Sequence, residues 1–245
     1  MNTIDNPSAA HTSECVSYAP DVLCICQDTP IDDVKSFYDI SLKSADGEDN
    51  FLKEFEGKVT LVINVTGECG NAPQYGVIED LYQEYKNEGF EVLAVPTNDY
   101  CGAGLTYGEH VYGCEDAKGA RKFGIDKYNV TYKFSELVES NPGPGEIIPG
   151  LPGKYGVVKP HAIYKWLGFQ GSKNKNTKNN GTFMSGNFEK YLVDRNGKLV
   201  AYFRNGDLLN QNQESMEMGL TEDGAPRASV ARKKITDAIE KALAA

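Results

Sequence analysis

Hydrophobic and polar positions follow three different rhythms along the chain. Two runs are apolar almost throughout, "VTLVINV" (59–65) and "FEVLAVP" (90–96). Continuous β-branched and aliphatic stretches of that length predict strands covered on both faces, as in a parallel sheet. Between them the period changes to that of a helix. Ile78, Leu81, Tyr82 and Tyr85 fall on one stripe, and Glu79, Asp80, Glu84 and Lys86 fall elsewhere. Gly89 is placed to end that helix. Strand, helix and strand of these lengths form a right-handed βαβ unit. The third rhythm is strict alternation. "FEKYLVDRNGKLVAYF" (188–203) alternates on both sides of Asn196-Gly197, which predicts a hairpin closed by a type I′ turn.

The remaining elements are shorter. "DVLCIC" in the first 35 residues predicts a strand that pairs at a sheet edge. A turn follows at Asp46-Gly47, then an amphipathic stub carrying Phe51, Leu52 and Phe55. Residues 115–128 read as helix and "NVTYKF" as extended. A last helix from Ser229 to Leu243 stripes Ile235, Ala238, Ile239 and Ala242. The order β, βαβ, connection, ββ-hairpin, α predicts an α/β chain with a thioredoxin-like fold: a central mixed sheet flanked by helices on both faces. Residues 1–35 are then an N-terminal extension, and 36–245 one domain.

Composition adds an outlier. Residues 142–180 hold seven Gly, five Pro, six Lys and one acidic residue. Their net charge is +5 in a chain of net charge −10, so the remainder carries −15. This predicts a long basic loop insertion with one short helix around "HAIYKWL". The acidic remainder argues against nucleic acid or an anionic membrane as partner. No apolar run reaches the roughly 18 residues of a membrane helix. The N-terminus lacks the basic and apolar regions of a signal peptide. A cytoplasmic location is expected, or an extracellular one if the chain starts at a processed end. With three histidines and no paired spacing, no metal site is expected.

Candidate chemistry centres on one of six cysteines. Cys69 stands where the first buried strand gives way to the helix, and in open sheets chemistry sits at the carboxyl ends of parallel strands. Unpaired N–H groups at a helix start stabilise a thiolate, so a depressed thiol pKa is expected. Gly70 would permit close backbone approach. A small buried cysteine filling space is the plainer alternative. No Cys-x-x-Cys occurs, which argues against a simple dithiol oxidoreductase.

Three blocks, "GKVTLVINVTGECGNAPQY", "LYQEYKNEGFEVLAVPTNDY" and "NFEKYLVDRNGKLV", resemble the glutathione peroxidases, in the family's order and across residues 36–133 and 161–204. The resemblance implies a thiol-dependent peroxidase acting on hydrogen peroxide or organic hydroperoxides, with Cys69 as the attacking residue. It implies no bound cofactor and an electron donor that is glutathione or a thioredoxin-like protein. The family surrounds its chalcogen with a Gln, a Trp and an Asn. Asn187 matches the Asn, whereas Gly186 stands at the Trp and Ala103 or a neighbour at the Gln. Gln74 belongs to the "QY" block and is not that glutamine. Trp166 and Asn98 are candidate substitutes. Thioredoxin-dependent members carry a resolving cysteine at a position that falls on Gly124, leaving Cys101 and Cys114 as candidates for a resolving or structural disulfide. Lys173, Lys175 and Lys178 could draw glutathione toward the site, or lie on a solvated loop or a subunit contact. A long insertion there resembles the members that keep an oligomerisation loop, which implies a homo-oligomer.

Two other functions stay open. The missing Trp and Gln, the front extension and the basic loop suit a catalytically degenerate member acting as a binding, assembly or structural component. Thiol–disulfide exchange or peroxide sensing through Cys69 with Cys101 or Cys114 is the third.

Overall fold

In a computed structural model of the chain, the structure describes residues 15–16, 25–26, 34, 36–97, 116–140, 161–173, 187–205 and 227–245. Among the described residues, seven strands follow in chain order: β1 Cys15–Val16, β2 Ile25–Cys26, β3 Val59–Val65, β4 Phe90–Pro96, β5 Lys133–Phe134, β6 Lys190–Val193 and β7 Leu199–Phe203. The α-helices among the described residues are α1 Gln74–Tyr85, α2 Ala117–Tyr128, α3 Ala162–Lys173 and α4 Arg227–Leu243. None is long and apolar enough to cross a membrane.

The central sheet has the order β5-β4-β3-β6-β7. β3 and β4 run parallel in unbroken register from Val59 opposite Phe90 to Val65 opposite Pro96. β4 also pairs parallel with β5. β6 runs antiparallel to β3 on its other side, and β7 antiparallel to β6. The mixed α/β sheet expected of a thioredoxin-like fold is thus present. The two parallel strands predicted from their apolar runs have the predicted limits.

Two cores form because β3 is buried on both faces. Val59, Leu61, Ile63 and Val65 pack with α1 (Tyr75, Ile78, Leu81, Tyr85), with Phe123 of α2, and with Ile235 and Ile239 of α4. Val62 faces the other way, with Leu93, Val95, Tyr191, the turns around Phe37 and Phe55, and α3. Each fully buried aliphatic or aromatic side chain contributes about 1.5–3 kcal/mol. Arg195, at the hairpin tip, donates to the carbonyls of Gly57, Glu88 and Leu243 and ties three segments to one end of the sheet.

Several expectations change. "DVLCIC" contributes β2, which pairs antiparallel with β1 in a separate two-stranded ladder, Cys15 opposite Cys26, and not with an edge of the central sheet. Of "NVTYKF" only Lys133–Phe134 is strand. The hairpin turn is not type I′, which needs φ > 0 at both central residues. Only Gly197 is left-handed, at φ 75°. The Gly197 N–H bonds the Asp194 carbonyl at 3.0 Å, and the Asp194 carboxylate accepts from the N–H groups of Asn196 and Lys198. This is a type I turn with a glycine bulge, fixed by the aspartate before the Asn-Gly pair. Glu79, assigned to the polar face of α1, is buried because it accepts from the N–H and hydroxyl of Thr131. Within the basic segment, α3 is twelve residues long and buries Ile163, Tyr164, Trp166 and Leu167. That part of 142–180 is core, not loop.

Candidate active site

The end of β3 leads into a tight turn, residues 66–73, before α1 begins at Gln74. The Tyr75 hydroxyl donates to the Thr66 carbonyl at 2.9 Å, and the Ala72 N–H to the Cys69 carbonyl at 3.0 Å, so the turn is closed from both ends. Cys69 sits inside it, free and 4% exposed.

Asn187 arrives from the far side of the sheet. Asn64, on β3, accepts the Phe188 N–H at its carbonyl (2.7 Å) and the Glu189 N–H at its side-chain oxygen (2.7 Å). These bonds extend the β3–β6 ladder beyond Lys190 and hold residues 187–189 beside the cysteine turn. Phe188 is left-handed at φ 60°, an uncommon state for a bulky residue, and its buried ring meets Tyr75 edge-on at 5.1 Å. The strained dihedral turns Asn187 toward the turn. Its Nδ2 donates to Cys69 Sγ at 2.9 Å.

Three more polar groups complete the arrangement. Asn71 Nδ2 donates to Asn187 Oδ1 at 2.7 Å. Gln74 Nε2 donates to Asn71 Oδ1 at 3.2 Å and to the Asn205 carbonyl at 2.7 Å. The ammonium of buried Lys190 donates to the carbonyls of Arg204 and Asn205, each at 3.0 Å.

The electrostatics differ from expectation. Burial raises the Cys69 thiol to about 11. The N–H groups of Asn71 and Ala72 and the Asn187 amide each pull it down, but together they do not offset desolvation. The depressed pKa expected from the helix start is therefore corrected: the N–H groups of the turn lower it, and the dry site outweighs them. The resting thiol is protonated at neutral pH.

Of the residues expected at the site, Cys69 and Asn187 meet. Gly70 is exposed, and a Cβ there would meet nothing within 4 Å among the described residues. Trp166 lies in the core on the opposite face of the sheet, 2% exposed and against Phe37 at 5.5 Å. It does not replace the family's Trp. Its helix belongs to the layer that Val62 faces, whereas Cys69 belongs to the layer of Ile63 and Val65. Asn98, Cys101, Ala103, Cys114, Lys175, Lys178 and Gly186 lie outside the described residues, and Lys173 is the last residue of α3. At Gly124, a Cβ would stand 2.9 Å from Val130 and 3.2 Å from Phe134, so no cysteine fits there without displacement. Asn71 and Gln74 were missed by sequence reasoning. The available signal was a second and third carboxamide within five residues of the cysteine.

The family described as glutathione peroxidase matches residues 37–146. The chain is 32% identical over 168 residues to glutathione peroxidase-like peroxiredoxin 2 of Saccharomyces cerevisiae, covering 69% of this chain and 86% of that protein. It is 30% identical over 171 residues to phospholipid hydroperoxide glutathione peroxidase 1, chloroplastic, of Arabidopsis thaliana, covering 68% of this chain and 58% of that longer protein. The crystal structure of Trgpx in apo form aligns with a TM-score of 0.51 at 24% identity, covering 86% of this chain and 97% of that one, and supports the fold.

Proposed function

Because this chain belongs to the glutathione peroxidase family, we propose that it is a thiol-dependent peroxidase in which Cys69 attacks the hydroperoxide. The observation that carries the residue assignment is the 2.9 Å bond from Asn187 Nδ2 to Cys69 Sγ, made by two residues 118 positions apart.

In the first step sulfur bonds to the terminal peroxide oxygen and the O–O bond breaks. Sulfur is oxidised by two electrons, and the peroxide is reduced to an alcohol, or to water. The thiol is protonated at rest, so its own proton neutralises the departing alkoxide and no separate acid is needed. The Asn187 amide and the N–H groups of Asn71 and Ala72 hold the negative charge that builds on sulfur as the proton leaves. The product is a cysteine sulfenic acid. A first donor thiol forms a mixed disulfide with Cys69 and releases water. A second thiol releases the disulfide and restores Cys69. The donor is glutathione or a thioredoxin-like protein.

The test is rapid mixing of the reduced protein with hydrogen peroxide or a lipid hydroperoxide, followed by mass-spectrometric trapping of the Cys69 sulfenic acid. Oxidation faster than that of free cysteine is expected. A rate no faster than free cysteine overturns the assignment.

One observation favours a second reading, a family member serving as a binding or assembly component. The thiol is almost sealed and its pKa is raised. In that case Cys69→Ser keeps the full biological role, whereas the peroxidase reading expects the role to be lost.

A further inference from the structure

The polarity of the Asn187 amide is decided far from the sulfur. A side-chain amide presents a donor at one end and an acceptor at the other, and it can turn over. The Asn205 carbonyl cannot, because a backbone oxygen only accepts. It already receives the Lys190 ammonium at 3.0 Å, so Gln74 must offer it Nε2, as it does at 2.7 Å. The same nitrogen is then the group that meets Asn71, at 3.2 Å, and Asn71 must answer with Oδ1. Asn71 Nδ2 is thereby aimed at Asn187, which must answer with Oδ1, at 2.7 Å. What remains for the sulfur is Asn187 Nδ2, at 2.9 Å. Turning any one of the three amides would set donor against donor or acceptor against acceptor. The arrangement leaves Gln74 Oε1 buried without a partner among the described residues. Turning Gln74 over would set Oε1 against the Asn205 carbonyl and put Nε2 in the unpartnered place instead, so the carbonyl decides the orientation.

We propose that Asn71 and Gln74 are positioning residues that lock the Asn187 amide with its N–H toward the Cys69 sulfur, transmitting the fixed polarity of the Asn205 carbonyl along a chain of three carboxamides. Neither touches the reacting atoms through its side chain. Their effect is to keep the donor in place before charge develops on sulfur, so that none of the reorganisation falls on the reaction itself. They support Asn187, the one amide of the family's set that the sequence keeps. This inference rests on the reading of Cys69 as the reacting thiol.

The test uses the full chain and a reagent that needs no peroxide chemistry. Alkylation of Cys69 by iodoacetamide at mildly alkaline pH is followed by peptide mass spectrometry, with thermal melting as a check on folding. Asn71→Asp is close to isosteric. It still accepts from Gln74 but offers an acceptor to Asn187, which then turns its oxygen to the sulfur. Alkylation is expected to slow about tenfold, one pKa unit of lost thiolate. The same substitution in an Asn187→Ala background is expected to slow it less than about threefold, since only the added charge remains. Gln74→Met, which adds no charge, is expected to slow alkylation in the parent and not in the Asn187→Ala background, and it decides the matter if Asn71→Asp does not fold. Equal slowing in both backgrounds overturns the proposal, because the effect then bypasses Asn187. No slowing in the parent overturns it also. A protein that fails to reduce hydroperoxides yet shows this coupling loses the peroxidase assignment while the amide chain stands.

Discussion

At the scale of single residues, the site is a contest between desolvation and hydrogen bonding at one sulfur. Hydrogen bonds to a charged group contribute about 1.5–3 kcal/mol, so Asn187→Ala should lower Cys69 thiolate reactivity roughly 10- to 100-fold at fixed pH. Alkylation kinetics read this directly, and an unchanged rate would mean the 2.9 Å contact carries no charge stabilisation. The raised pKa also has a consequence for stability. Below about 9, both the folded and the unfolded chain keep the proton, and the thiol leaves stability unchanged with pH. Between about 9 and 11 the unfolded thiol ionises while the folded one stays neutral. The unfolded state then binds fewer protons, so stability falls as pH rises through that window. Urea midpoints measured across it should fall more steeply for the parent than for Cys69→Ser. Comparing slopes removes the contribution of the buried tyrosines, which stay in both proteins.

At the scale of elements, the hairpin carries two devices at opposite ends. Its tip uses Gly197 at φ 75°, where an added Cβ would press on the Ser36 hydroxyl and stand 3.0 Å from the Tyr38 ring. Gly197→Ala therefore combines a left-handed strain of about 1–2 kcal/mol with a steric clash. A loss of at least about 2 kcal/mol is expected, seen as a fall in melting temperature of about 4–8 °C. A shift under a degree would show that the turn relaxes freely. Its root uses Phe188, left-handed and buried, whose ring on Tyr75 holds a dihedral the backbone alone would avoid. The strain lies one residue from the amide that reaches the sulfur, as expected where packing over-determines a functional geometry.

At the scale of the whole molecule, net charge sets the approach of small donors. The chain carries −10, and glutathione is an anion at neutral pH. Repulsion is screened by salt within about 10 Å at 0.1 M. Reduction of oxidised Cys69 by glutathione should therefore quicken as salt is raised, while reduction by uncharged 2-mercaptoethanol stays flat. Slowing with salt would instead assign the basic segment, with Lys173, Lys175 and Lys178, a steering role. Arg195 works at the same scale, because its guanidinium joins carbonyls from three separate segments. Arg195→Met should increase amide exchange in α4 while leaving Cys69 alkylation unchanged, since the staple and the cysteine turn lie at opposite ends of β3.

The sequence by itself determined whatever depends on local period. Nearly unbroken apolar runs set β3 and β4 to the residue, because a strand buried on both faces carries few polar side chains, and Asn64 and Glu91 are hydrogen-bonded. The helical stripe set α1, and the position of Cys69 between them followed. The resemblance to the glutathione peroxidases, carried by the cysteine block and the Asn-Phe block, brought Cys69 and Asn187 together in expectation before any geometry was known. Tertiary structure decided what depends on which atoms are left facing each other. It placed Trp166 on the far face of the sheet, since helical period shows that a face is buried but not against which layer. It reversed the expected thiol shift, since desolvation is set by everything that packs around the sulfur and not by its neighbours in sequence. It gave Asn71 and Gln74 their place because hydrogen-bond polarity is inherited from a carbonyl at Asn205, 131 positions from the glutamine it orients.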